Sequence, residues 1–327
     1  MIFFIIIILL MSRTLANCDL KPDITVANDG SGDFVKITEA ISSIAEKTTP
    51  VVIYVKAGIY YENVIVSRDQ VTMYGDGKQR TIVSGNLNRL DHPDYTTYQT
   101  ATFSVTGNEF IVKDMGFVNV AGPTKHQVVA FHTRSTHSVM FRCAFNGYQD
   151  TLYAHEGKQL YRECDIVGTV DFIFGEASAV FEMCRIMPRK PLSGQYITIT
   201  AQNANDNKAR TGFSIIKSRI FPFDENLTAA VYLGRPWGSH ATVAIMESEL
   251  GPCIDPRGWV AWNRSLDPPP PTVSLGEYRN YGPGSTVSKR VKWVGYTPAM
   301  TDEEAEACSI QALINQEGWL NNTCIPY

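Results

Sequence analysis

Four polar side chains recur at nearly constant spacing: Gln127, then Gln149 with Asp150, then Asp171. The steps are 22 or 23 residues and then 21. If each step is one turn of a repeating coil, all four groups stack on one face of three successive strands. Two carboxyls about 5 Å apart on neighbouring strands cannot both ionise freely, so one pKa rises. A protonated carboxyl beside an ionised one is an acid and nucleophile pair. Two amides beside them are donors for a developing oxyanion. Asp171 sits in the apolar run Gly168-Thr169-Val170-Asp171-Phe172-Ile173-Phe174-Gly175, where a carboxylate needs a partner. Arg235, in Leu233-Gly234-Arg235-Pro236-Trp237, is the candidate. Pro236 biases it to extended geometry, and its guanidinium fork can hold Asp171 ionised and oriented. Taken singly, each aspartate reads as a turn residue or a solvated edge, and the arginine pair as structural. The shared register is what points to a site.

The elements around these residues are short strands. Helix periodicity is confined to Ile37 to Ala45, after the turn Asp29-Gly30-Ser31-Gly32, and to a segment after Thr301, whose Thr301-Asp302-Glu303-Glu304 reads as a capped start. Between them lie β runs such as Val51 to Val55, Val71 to Tyr74, Phe103 to Val105 and Ile197 to Thr200. A repeat runs through the β region: Met115-Gly-Phe117, Cys143-Ala-Phe145, Cys164-Asp-Ile166, Cys184-Arg-Ile186, Ser218-Arg-Ile220 and Ser248-Glu-Leu250. Its steps of 28, 21, 20, 34 and 30 residues predict a parallel β-helix, the longer steps being coils with loop insertions. A β-sandwich also uses many short strands but does not explain a repeat near 21. The run Asp267-Pro-Pro-Pro-Pro271 reads as a stiff surface loop, not a domain boundary.

Composition narrows the class. The chain has 327 residues, 44% hydrophobic and 19% charged, with a formal charge of −4 and no long basic run. That reads as a soluble globular protein and disfavours nucleic acid as a partner. Met1 to Met11 is almost purely apolar, too short to span a bilayer, and is followed by Thr14-Leu15-Ala16. The expectation is a signal peptide over 1–16 and a single catalytic domain over 17–327, with no membrane attachment after cleavage. Cleavage removes Arg13 and moves the charge from −4 to −5. The seven cysteines are Cys18, Cys143, Cys164, Cys184, Cys253, Cys308 and Cys324; none forms a CxxC pair, so no metal site is expected. On adjacent strands Cys143 and Cys164 would lie about 4.8 Å apart, compatible with a disulfide or with a ladder of buried thiols. Sequons stand at Asn226, Asn263 and Asn321.

Gly147-Tyr148-Gln149-Asp150-Thr151-Leu152-Tyr153, Gly168 to Gly175 and Leu233 to Trp237 resemble the three signature motifs of pectin methylesterases. Gly58-Ile59-Tyr60-Tyr61-Glu62 and Gln127-Val128-Val129-Ala130-Phe131 resemble two more, and the likeness runs from about Ile24 to Tyr296. The resemblance implies an all-β fold, a right-handed single-stranded parallel β-helix. It implies hydrolysis of methyl esters in polygalacturonan, with no cofactor. Asp171 would be the nucleophile, Asp150 the general acid and then base, Gln127 and Gln149 the oxyanion donors, and Arg235 the residue that orients Asp171. Thr97, Trp237, Tyr153, Phe174 and Trp259 would contact or line the sugar cleft. The family's bridge between coils would join Cys143 and Cys164. The expected partners are methyl-esterified pectin and a proteinaceous pectin methylesterase inhibitor, and the expected state is a secreted monomer in the plant cell wall.

The sequence departs from the pattern at Glu176, where the family often has Asn, at Val128 and Phe131, and at the four prolines from Pro268 to Pro271. None of the five catalytic positions is altered. An inhibitor-like region, which many plant members carry ahead of this domain, is not expected in so short a chain. Polygalacturonases and pectate lyases also use parallel β-helices, but a lyase would call for an acidic calcium cluster. A serine hydrolase is disfavoured because Gly-x-Ser-x-Gly does not occur. A non-catalytic wall-binding protein would be marked by loss of Asp150, Asp171 or Arg235.

Overall fold

The computed structural model describes residues 20–206 and 211–327. The apolar run Met1 to Met11, the cleavage position after Ala16 and Cys18 lie outside the described residues.

Among the described residues, three sheets of 11, eight and seven strands run side by side, and every strand pairing is parallel. The chain visits them in rotation: Ser138–Phe141 in the first, Ala144–Asn146 in the second, Leu152–Ala154 in the third, then Lys158–Arg162 back in the first. The result is a right-handed parallel β-helix. The 21-residue step is one such circuit. Phe117, Phe145, Ile166, Ile186, Ile220 and Leu250 pair one above the next along the second sheet, so the predicted repeat is the register itself.

The corner before that sheet is built the same way on each coil. Asp114, Arg142, Glu163, Met183, Lys217 and Glu247 all have left-handed φ, between 48° and 58°. The next residue points inward and caps main-chain groups: Ser218 Oγ accepts from Cys184 N–H at 3.0 Å, and Ser248 Oγ accepts from Ser218 N–H at 3.0 Å. The cysteines occupy the same rung, and the disulfide expected between Cys143 and Cys164 is not present. Both are buried thiols. Cys143 Sγ donates to Phe141 O at 3.5 Å, and Cys164 Sγ to Met140 O at 3.3 Å. Each thiol is instead taken up by hydrogen bonds, to main-chain carbonyls and to the neighbouring sulfur on the ladder.

Inside the coil, aromatic rings stack between successive turns, as in Phe103 on Phe131 at 5.6 Å and Tyr161 on Phe181 at 4.7 Å. Both ends are closed. At one, the helix Ile37–Ser43 buries Ile37 and Ala40, and the Glu62 carboxylate accepts from its first N–H groups, those of Ile37 and Thr38, each at 2.9 Å. At the other, the buried pair Arg290–Glu277 is held at 2.8 Å, with Tyr296 donating to the same carboxylate. The helix Asp302–Glu306 starts at Thr301 with a reciprocal capping box, and the segment after it covers the outer face of the first sheet. That cover explains why strands such as Ser178–Glu182 are buried on both faces and show no alternation.

Candidate active site

Asp150 and Asp171 lie where the chain turns from the second sheet into the third. Each precedes a paired strand residue by two positions, Leu152 pairing with Ile173, so the two aspartates share one rung on adjacent coils. Both adopt left-handed φ, 62° and 51°, a conformation that costs a non-glycine residue on the order of 1 kcal/mol or more. The neighbouring coils hold them there. Asp150 N–H donates to Val170 O at 3.0 Å, and Thr169 N–H to Tyr148 O at 2.9 Å. Gly168 opens the Asp171 turn because a Cβ there would stand 2.2 Å from Phe172 Cβ.

The two carboxyls have unequal surroundings. Asp171, 4% exposed, receives Arg235 Nε at 2.8 Å on one oxygen and Nη2 at 2.5 Å on the other. Thr198, one rung further on, donates its hydroxyl to Asp171 Oδ1 at 2.6 Å and accepts from Asp171 N–H at 2.9 Å. Arg235 reaches this position because Gly234 packs against Thr200, where a Cβ would meet Thr200 Oγ1 at 1.9 Å. Asp150 is 7% exposed and has no such clamp. Burial, followed by the charge of Asp171, pushes its pKa well above the usual carboxylate range, with Arg235 pulling weakly the other way. One carboxylate is thus held by an arginine fork and a hydroxyl, beside one that favours its neutral form.

Gln127 and Gln149 pair through a parallel bridge just before these turns, with Val128 N–H donating to Gln149 O at 3.1 Å. Among the described residues neither side-chain amide has a hydrogen-bond partner, so both donors are open. Thr97 starts the short helix Thr97–Thr100. Thr100 Oγ1 of that helix accepts from Val129 N–H at 3.2 Å, which ties the segment to the Gln127 strand.

An aromatic floor leads away from the carboxyls along the third sheet. Tyr153 stacks on Phe174 at 4.2 Å, Phe174 meets Trp237 at 6.3 Å, and Trp237 stacks on Trp262 at 5.9 Å. Phe174 is nearly buried, within a small apolar cluster apart from the main core that also holds Tyr153 and Trp262; Trp237 is exposed. Trp259 does not line the cleft: it is 1% exposed and belongs to the main core, near Tyr296. Trp259 pairs with Gly234, so Trp262, three residues on, takes the rung of Trp237. Trp262 also lies 4.3 Å from the Arg235 guanidinium and accepts from it through its main-chain oxygen at 3.4 Å.

Thr198 and Trp262 are the residues that spacing alone missed. A long loop between Pro188 and Ile197 stretches the step from Asp171 to Thr198 to 27 residues, which hides their shared rung. Trp262 stands 25 residues beyond Trp237, a legible coil step that was assigned to the wrong tryptophan.

Beside the floor, His132 is buried, with Nδ1 2.7 Å from Ser104 Oγ and Nε2 3.0 Å from His155 Nδ1; burial lowers its pKa to about 3. Glu176 lies next to this cluster. Burial, then Glu156 and Asp206, raise its pKa, and it acts on Tyr153. Among the described residues no group of three or more His, Cys, Asp or Glu side chains is gathered as a metal site.

The sequence profile of the family described as Pectinesterase matches residues 23–317. Pectinesterase 3 of Phaseolus vulgaris is 49% identical over 95% of the chain, and Pectinesterase 1 of Arabidopsis thaliana 48% over 95%. The chain spans about half the length of these curated relatives, 54% and 53%. Among solved structures, the pectin methylesterase from carrot superposes with a TM-score of 0.89 at 37% identity, covering 94% of this chain and 98% of that one.

Proposed function

The chain belongs to the pectinesterase family, and from that premise we propose that it hydrolyses the methyl esters of pectin, releasing methanol and leaving free galacturonate carboxylates. The observation that carries the reading is the unequal pair: Asp171 clamped by Arg235 and Thr198, Asp150 buried with a raised pKa.

The chemistry follows from those environments. Asp171 Oδ attacks the ester carbonyl carbon, and negative charge grows on the carbonyl oxygen. The open amides of Gln127 and Gln149 donate to that oxygen. The C–OCH3 bond breaks as Asp150 gives its proton to the departing methoxy oxygen. The acyl group is then held on Asp171, and Asp150, now a carboxylate, takes a proton from water. The hydroxide adds to the acyl carbon, the bond to Asp171 breaks, and both aspartates return to their starting states with a galacturonic acid carboxyl as product. Arg235 restores the Asp171 carboxylate as leaving group and holds its geometry. Tyr153, Trp237 and Trp262 offer ring faces to the apolar faces of the sugars, the nearly buried Phe174 stacks against Tyr153, and Thr97 flanks them.

The exposed asparagines of the sequons at Asn226, Asn263 and Asn321 suit a glycosylated, secreted protein acting on cell-wall pectin. A proteinaceous inhibitor is a fitting partner for an open cleft of this kind.

The test is product analysis on methyl-esterified polygalacturonate. An esterase releases methanol without shortening the chains. Shortened chains would instead make the protein a depolymerase, and unchanged polymer with retained binding would make it a wall-binding module.

A further inference from the structure

Thr198 lies in the strand Ile197–Gln202, one coil beyond Asp171, and is fully buried. Phe172 N–H donates to its main-chain oxygen at 3.3 Å, which fixes the residue against the Asp171 turn. Its hydroxyl is spent on one neighbour. Oγ1 accepts from Asp171 N–H at 2.9 Å and donates to Asp171 Oδ1 at 2.6 Å. A single hydroxyl thus spans the main chain and the side chain of the same residue and locks the Asp171 rotamer at its left-handed φ of 51°. The Asp150 turn has no counterpart. There the N–H goes to a main-chain oxygen, that of Val170 at 3.0 Å, and among the described residues the carboxyl has no hydrogen-bond partner.

This latch makes the two oxygens of Asp171 unequal. An ionised carboxylate offers about four lone-pair sites, shared equally between its oxygens. Oδ1 receives Arg235 Nε at 2.8 Å as well as the Thr198 hydroxyl, so both of its sites are taken. Oδ2 receives Arg235 Nη2 alone, at 2.5 Å, and keeps one site open. A guanidinium fork by itself meets two carboxylate oxygens alike. The Thr198 hydroxyl breaks that equivalence.

We propose that Thr198 is a positioning residue for the esterase reaction: by occupying Oδ1 it leaves Oδ2 as the oxygen that attacks the ester. This rests on the esterase reading above. Oδ2 bonds to the ester carbon as the carbonyl electron pair moves to the carbonyl oxygen, and methanol leaves with the Asp150 proton. In the acyl intermediate Oδ1 is the remaining carbonyl oxygen of Asp171 and keeps its two donors. Once water has added, the C–Oδ2 bond breaks and its electron pair returns to the Asp171 carboxylate, where the donors on Oδ1 take up part of the returning charge. The buried hydroxyl therefore serves both halves of the turnover without touching the sugar.

The experiment measures kcat and KM for methanol release from methyl-esterified polygalacturonate by the parent, Thr198→Val and Thr198→Ser. Valine keeps the shape and removes the hydroxyl; serine keeps the hydroxyl and removes the methyl. The expected result is a fall in kcat of about 10- to 100-fold for Thr198→Val, as loss of a hydrogen bond to a charged group gives, with KM near the parent's and with Thr198→Ser within about threefold of the parent. A Thr198→Val enzyme with the parent's kcat overturns the proposal. So does a loss carried by KM, which would make Thr198 a binding group, and so does a Thr198→Ser enzyme as slow as Thr198→Val, which would make its role one of packing. If Thr198→Val does not fold, Thr198→Ala set against Thr198→Ser gives the same reading, since both lack the methyl and only one has the hydroxyl: equal kcat values overturn the proposal, and a tenfold gap supports it. No methanol from the parent overturns the esterase reading and this proposal with it; methanol from the parent with kcat unchanged in the variants removes Thr198 alone.

Discussion

Asp150 and Asp171 occupy one rung on adjacent coils, yet a single arginine, Arg235, clamps only Asp171. Stacking brings two carboxyls together that would repel if both were charged. The clamp holds one of them in place, and burial first of all raises the pKa of the other. The fold thus supplies proximity, and one side chain from two coils further along supplies the asymmetry that acid and nucleophile roles require.

Replacing Asp171 should remove the reaction and leave the coil intact. Asp171→Ala is expected to lower methanol release by a factor on the order of 10⁴ or more, with the circular dichroism spectrum of the parent. Activity near the parent's would reject Asp171 as nucleophile.

Arg235→Lys tests the fork. A lysine keeps the charge but cannot make two parallel bonds to Asp171. A fall in kcat of about 100-fold is expected from lost orientation, with KM changed much less. Full activity would mean that charge alone suffices and that the two-bond geometry is incidental.

The raised pKa of Asp150 has a signed consequence for stability. The folded protein holds a proton that the unfolded chain has released, so the contribution is full below the unfolded value of about 3.9 and is lost as pH rises through the raised folded value. Asp150→Asn removes this loss while retaining the shape. The melting temperature of the variant minus that of the parent should therefore grow with pH above about 4. A gap that narrows as pH rises would contradict the burial argument. The same variant should lose about 10²–10⁴-fold in kcat, the range for a positioned acid or base.

The two tryptophans three residues apart should fail in different ways. Trp259→Ala opens the packed interior and is expected to cost about 3–5 kcal/mol of stability. Trp262→Ala removes cleft surface and the ring over Arg235, and should raise KM for pectin with a smaller loss of stability. If Trp259→Ala raised KM while leaving the melting temperature unchanged, the placement of these rings would be wrong.

The thiol ladder is open to chemistry. Alkylation of the denatured protein without prior reduction should label both Cys143 and Cys164, read by mass spectrometry of their peptides. A linked pair of peptides would restore the bridge between coils.

Much of this was legible because a β-helix writes its register into the sequence. Wherever a coil is 20 or 21 residues long, as between Cys143, Cys164 and Cys184, counting along the chain is the same as moving one rung. The aspartate pair and the aromatic rungs Tyr153 and Phe174 fall in that stretch. Legibility ended where loops lengthen the coil. Thr198 lies beyond such a loop, and its hydroxyl bond to Asp171 left no trace in spacing. Trp259 and Trp262 lie on one short segment, and which of them faces inward depends on the pairing of Gly234 with Trp259, not on composition. The bridge assigned to Cys143 and Cys164 had the right rung, but the two sulfurs stay thiols that hydrogen-bond along the ladder.

The division of labour between the aspartates can be read directly by carbon-13 NMR titration of carboxyl-labelled aspartate, with Asp150→Asn used to identify the Asp150 resonance. The account predicts that this resonance titrates well above the value of about 3.9 of an ordinary aspartate. An Asp150 signal that titrates with the exposed aspartates would contradict the claim that burial and the neighbouring charge keep this group ready to give up its proton.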